Sequence, residues 1–144
     1  MSMRDPSLHL RVNQKTGDFV IVNYAVDRRF GFLAGWGPLV HVARQQMKTE
    51  GLRIVLDNLD GFLDRNGEDG CELDGDPVKQ REFEKLHKCI SIMLLEQRNL
   101  AITPMRRTRR GGATGEYEDV ITLPFPCTNE EFYRALELAE SRAQ

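Results

Sequence analysis

The chain has 144 residues, 40% of them apolar and 29% charged, with a net charge of −2 and a pI of about 5.9. Residues 1–144 are read as a single domain with enough apolar mass for one core, and the near-neutral balance argues against a general polyanion binder. No stretch approaches the ~18 consecutive apolar residues of a membrane span, and Cys71, Cys89 and Cys127 are odd in number with no CxxC, which fits free thiols in a reducing compartment.

The opening segment, MSMRDPSLHLRVNQ, has no apolar run of signal-peptide kind, so a cytoplasmic protein is expected. Leu8, Leu10 and Val12 alternate with His9, Arg11 and Asn13, the pattern of a half-buried strand. Turn residues from Gln14 to Asp18 lead to Phe19–Val26, a β-branched and aromatic run that reads as an inner strand and closes a hairpin. The following FGFLAGWGP carries Gly31, Gly35, Gly37 and the sole tryptophan, Trp36. It is read as turned, with Gly37-Pro38 starting a helix.

From Leu39 to Arg65 the apolar spacing is helical. Val40, Ala43 and Met47 form one stripe; Leu52, Val55/Leu56, Leu59 and Phe62/Leu63 form another. The phase changes near Thr49–Gly51, where either one long helix bends or two helical segments meet, and two segments joined there are the favoured reading. Asp76-Pro77 then restarts a helix, with Asp as N-cap and Pro at the first helical position. Phe83, Leu86, Ile90 and Met93/Leu94 carry it toward Arg98. Leu100–Met105 reads as a strand that Pro104 places at an edge or a bend. Asp119–Phe125 is its return strand. Thr128-Asn129-Glu130-Glu131 is a capping box opening a final helix, with Cys127 and Phe132 at the staple positions. The predicted order is β-β-α-α-α-β-β-α, an α+β fold in which helices pack on a mostly antiparallel sheet made from two hairpins.

Catalytic motifs are lacking. His9, His41 and His87 belong to no HExxH or triad pattern. On a helix, His87 and Cys89 would point about 200° apart and form no dyad. Gly35-Trp36-Gly37 lacks the third glycine of a dinucleotide loop, because Val40 stands there. The segment from Asp64 begins like a calcium loop, but Asp69 and Gly75 occupy the positions that need Gly and Glu. No cofactor or metal is therefore expected, and the chain is read as a binder rather than an enzyme.

Two charged segments are the candidate binding residues. Asp64, Glu68, Asp69, Glu72, Asp74 and Asp76 crowd a glycine-rich loop against one arginine, Arg65. Such a loop is either a solvated surface or an acidic docking site for a basic protein partner. Arg106, Arg107, Arg109 and Arg110 are its mirror image at the tip of the second hairpin. They suit an edge guarded against aggregation or a protein interface. Nucleic acid is less well supported, because only Tyr117 offers an aromatic nearby.

The C-terminal third, Arg106–Arg110, Gly111–Tyr117, Val120–Pro126 and Thr128–Ala139, resembles the immunity proteins of bacterial contact-dependent growth inhibition. Their chains often end in an arginine-bearing strand, a hairpin tip, an apolar-Leu-Pro strand and a short helix. The resemblance implies a cytoplasmic protein that binds the toxic C-terminal domain of a delivered effector and blocks its active site. Such toxins are often nucleases, whose basic clefts the acidic loop would suit. The alternative expectation is a small regulatory or nucleic-acid-binding adaptor using the Arg106–Arg110 tip.

Overall fold

The alternating residues at the start of the chain form β1 (Ser7–Asn13), which turns back as β2 (Phe19–Val26). A third strand, β3 (Leu33–Val42), leads into α1 (Arg44–Asp60). Two 3₁₀ turns, Phe62–Asp64 and Gly67–Asp69, precede α2 (Pro77–Leu86). There follow β4 (His87–Leu94), β5 (Asn99–Arg107), β6 (Ala113–Gly115), β7 (Ile121–Pro124) and α3 (Asn129–Arg142). The computed structural model describes residues 5–96, 98–107, 113–115 and 119–144.

The α+β class and both expected hairpins are present. One antiparallel sheet runs in the order β3-β2-β1-β4-β5. The outer side of β5 pairs with β7 along Asn99–Ile102 and with β6 along Met105–Arg107. Pro104 lies between these two pairings, where a missing backbone donor is tolerated.

Two strands replace what the sequence pattern suggested. FGFLAGWGP was expected to turn and start a helix, yet Leu33–Val42 is the edge strand β3. Three of its residues, Gly37–Leu39, stand opposite the single β2 residue Val22, so Gly37 and Pro38 belong to a bulge. Gly37 takes φ +71° there, a conformation that favours glycine. The helix expected to reach Arg98 stops at Leu86, and His87–Leu94 is the inner strand β4. Its two faces are both partly covered, so its apolar residues satisfy a helical and a strand period alike.

One face of the sheet carries the core. Leu8, Ile92, Ile102 and Ile121 form a row across β1, β4, β5 and β7. Leu10, Ile21 and Ile90 form the next row. Met47, Val55 and Leu59 of α1 and Phe132, Leu136 and Ala139 of α3 close over them. Each large side chain buried this way contributes about 1.5–3 kcal/mol.

α1 is one helix, not two, and Gly51 is buried within it. A Cβ at Gly51 would stand 2.7 Å from Met47 Sδ and 3.5 Å from Phe132, so the glycine allows α3 its close approach. The Asn129 side chain reaches in at the same turn. Its Oδ1 accepts from the Leu52 amide at 2.8 Å and its Nδ2 donates to the Lys48 carbonyl at 2.7 Å. An ordinary helix pairs those two groups with each other, so the phase change read near Thr49–Gly51 marks a helix–helix fastening. The capping box forms as expected, with Glu131 N to Thr128 Oγ1 at 3.1 Å and Thr128 N to Glu131 Oε1 at 3.0 Å. Cys127 and Phe132 both join the core cluster.

Asn129→Ala removes both bonds to α1 and is expected to cost about 1–3 kcal/mol in urea unfolding. Glu130→Ala, on the exposed side of the same turn, should stay within about 0.5 kcal/mol. Equal losses for the two variants would show that Asn129 does not fasten the helices.

Candidate partner-binding surface

The acidic loop is built against the edge of the sheet. Gly37 N donates to Gly70 O at 2.8 Å, and Glu72 N donates to Gly37 O at 3.0 Å. These bonds form a short parallel bridge between Gly37 and Cys71. Cys71 lies so close to β3 that a Cβ at Gly35 would stand 3.3 Å from it. The glycines of the Gly35-Trp36-Gly37 motif are thus accounted for by loop packing and a bulge. The loop also occupies part of an edge strand, a backbone that would otherwise be open to pairing.

The six loop carboxylates divide by role. Asp76 caps α2 through the Lys79 amide at 3.0 Å, and Asp74 accepts from Cys71 N at 2.7 Å. Glu72 accepts from Leu39 N at 3.3 Å and lies 3.9 Å from Lys79. Glu68 pairs with Arg29 at 2.6 Å. Asp69 accepts from the Trp36 indole at 3.4 Å. Asp64 is exposed and has no ion-pair partner among the described residues. Asp64, Glu68 and Asp69 therefore face outward, whereas Asp74 and Asp76 hold local structure.

A second feature joins this loop, and the sequence reading treated it only as a turn. The β2–β3 connection is closed by Asp27 N to Phe32 O at 2.8 Å, and Gly31 has φ +76°. Phe30 and Phe32 stack on each other with centroids 5.7 Å apart, yet remain 68% and 50% exposed. Arg29 lies over Phe30 at 5.1 Å and reaches both Asp27 and Glu68. Arg65 lies over Trp36 at 4.9 Å. The signal available in the sequence was two phenylalanines inside a glycine-bearing turn, where the fold requires neither.

The arginine strand lies on the far side of the sheet. Arg106 and Arg107 pair with Thr114 and Ala113 of β6, whereas the acidic loop adjoins β3 at the other end of the strand order. Arg107 Nη2 donates to Lys85 O at 2.7 Å and His87 O at 3.3 Å, so it satisfies carbonyls where α2 ends. Arg109 and Arg110 lie outside the described residues. Arg106 and Arg107 therefore do not share a surface with the acidic loop.

Beneath α2 the sheet carries a polar cluster. Arg11 is buried, pairs with Glu84 at 2.6 Å and lies 5.8 Å from the Phe83 ring centroid. The Phe83 ring stacks on His87 at 4.2 Å. On strand β4, His87 and Cys89 share a face instead of pointing apart as on a helix. Burial nevertheless pushes the Cys89 thiol up to about 11. His9 donates to or accepts from Tyr24 Oη at 3.1 Å. Burial, helped by the Arg11 charge, lowers His9 to about 3, and burial raises Tyr24 to about 12. Near neutral pH this face thus holds neutral imidazole, phenol and thiol around one ion pair. Beside it, α2 and the β2–β3 face border an open cleft of about 590 Å³ whose lining includes Val20, Leu39, His41, Glu72 and Phe83. Among the described residues, no three His, Cys, Asp or Glu side chains group to hold a metal ion. No described helix is long and apolar enough to cross a membrane.

The fold is similar to that of solved structures over its whole length. A protein of unknown function from Neisseria meningitidis is 19% identical, with 100% of each chain covered and a TM-score of 0.70. A chain from the CdiA-CT/CdiI toxin and immunity complex of Yersinia pseudotuberculosis is 15% identical, with 99% of each chain covered and a TM-score of 0.68. At such identities the likeness is one of fold. No family model matches the sequence, and no curated protein matches it.

Two outcomes follow from the cluster under α2. Glu84→Ala strands the Arg11 charge and should cost about 2–3 kcal/mol, while Arg11→Met combined with Glu84→Leu should recover most of that loss. Denaturant titration of the single and double variants measures both. The His9 shift acts in acid. Below pH 6.5 the unfolded chain takes up a proton that folded His9 refuses until about pH 3. Stability should therefore fall as pH drops through that window, by up to about 1.4 kcal/mol per pH unit from this group. His9→Gln should flatten that part of the profile; an unchanged slope would remove His9 as its source.

Proposed function

We propose that this chain is an immunity-type protein that binds a toxin domain and occludes its active site, acting in the cytoplasm and without catalysis of its own. The observation that carries the reading is the full-length fold likeness to a chain of a toxin and immunity complex. It agrees with the resemblance carried by Arg106–Arg110, Val120–Pro126 and Thr128–Ala139. The raised Cys89 thiol and lowered His9 support the non-catalytic part of the reading, since neither suits a nucleophile or base at neutral pH.

Of the two charged segments, the acidic loop is the better candidate for the toxin. Asp64, Glu68 and Asp69 are exposed on two 3₁₀ turns that precede the part of the loop bonded to β3, so little order must be gained on binding. Carboxylates displayed this way would meet the basic phosphate-binding cleft of a nuclease and speed its capture. The adaptor alternative loses ground because Arg107 is engaged with the carbonyls of Lys85 and His87.

The test looks for a large secreted effector encoded immediately upstream of this chain and uses that effector's C-terminal domain as the probe. Co-expression should restore growth to cells making that domain, and the purified pair should associate with a rate that falls as salt rises. Absence of both protection and binding would refute the immunity reading. Salt-sensitive binding to single-stranded RNA, lost when Arg106, Arg107, Arg109 and Arg110 all become alanine, would favour the adaptor.

A further inference from the structure

We infer that the stacked Phe30–Phe32 pair is the apolar anchor by which this chain grips its protein partner, and that the partner's surface there is basic around an apolar recess. The inference rests on the immunity reading above and adds the contact that would carry its affinity.

Folding alone does not account for these rings. The core is closed by residues from β1, β2, β3, β4, β5, α1 and α3, and neither phenylalanine belongs to it. Large side chains left this open are Phe30, Phe32, Leu63, Val78 and Leu138 among the described residues. The first three lie in the β2–β3 turn and the 3₁₀ turn Phe62–Asp64, and Asn66, which caps the next 3₁₀ turn, accepts from Arg28 N at 3.4 Å. Aromatic side chains beside arginine are the composition of interface hot spots. Stacking with an interplanar angle of 8° holds each ring against the other before any partner arrives, which reduces the ordering cost of binding.

The turn is also held in place. The Arg29 guanidinium pairs with Asp27 and Glu68, so the rings keep a set position relative to the acidic loop. A Cβ at Gly67 would stand 2.9 Å from Asp27 N, which shows how closely loop and turn approach. The charge around the rings selects the occupant. Among the charges of the turn and of the outward-facing part of the loop, Asp27, Asp64, Glu68 and Asp69 outnumber Arg28, Arg29 and Arg65. A second copy of the chain would bring the same acidic excess face to face. A basic partner meets it with opposite charge, and rings seated in a recess between basic side chains would also gain cation–π contacts.

The experiment measures binding of the catalytically inactivated effector domain to three forms of the full chain by calorimetry, with thermal unfolding alongside. Phe30→Ala with Phe32→Ala should leave Tm within about 2 °C and weaken binding about 30-fold or more. Asp64→Asn with Asp69→Asn should weaken binding and reduce its salt dependence, with the rings intact. Wild-type binding matched by the double-alanine form would overturn the inference and leave the immunity reading standing. No binding by the wild-type chain would overturn both. A wild-type dimer that the double-alanine substitution turns into a monomer would assign the rings to self-association and overturn the inference.

Discussion

The structure depends on burying one face of the β1–β4 pair beneath α1 and α3. β1 sits between β2 and β4, and Leu8 and Leu10 are fully buried. Those positions are linked across the sheet to Ile21, Ile90 and Ile92, so a one-residue slip of β1 would turn them away from the helices. The helices must then meet each other closely, which is the place of Gly51 and Asn129. Arg44 adds a tie at the other end. It donates to Gly17 O and the Tyr133 hydroxyl and pairs with Glu140, joining the first hairpin, α1 and α3.

With one face used for the core, the other can carry polar groups. Arg11 is tolerated there because α2 brings Glu84 and Phe83 over it. The helix that does so is the direct continuation of the acidic loop, and Asp76 begins it. Loop, α2 and sheet face are therefore one connected piece of construction. Several loop acids have work within the fold, which separates them from acids free to meet a partner. A charge count along the chain could not make that division, because it depends on which backbone amides come within reach.

Much of the secondary structure was legible. The first hairpin, the Asp76-Pro77 helix start and the Thr128 capping box rest on residues within a few positions of one another, and all three are present. β3 was not legible because its Gly35, Gly37 and Pro38 disfavour a strand in isolation. The edge position, the bulge and the contact with Cys71 make them acceptable. β4 was misread because Ile90, Met93 and Leu94 also fit a helical stripe, and only pairing with β1 and β5 decides between the two. The candidate surface was half legible: the acidic run stands out as composition, but the adjoining Phe30–Phe32 pair does not.

The sequence by itself determined the α+β class, the two hairpins, the last helix with its cap, and the existence of two oppositely charged segments. These follow from local periodicity, capping and charge. The tertiary structure alone decided that Arg106 and Arg107 lie apart from the acidic loop, that Arg11 is buried against Glu84 73 residues away, and that Asn129 bonds Leu52 77 residues away. It also decided that two turn phenylalanines stand exposed beside the acidic loop. The physical reason is common to these cases: each depends on contacts between segments distant in the chain, where local propensity carries no information about the partner.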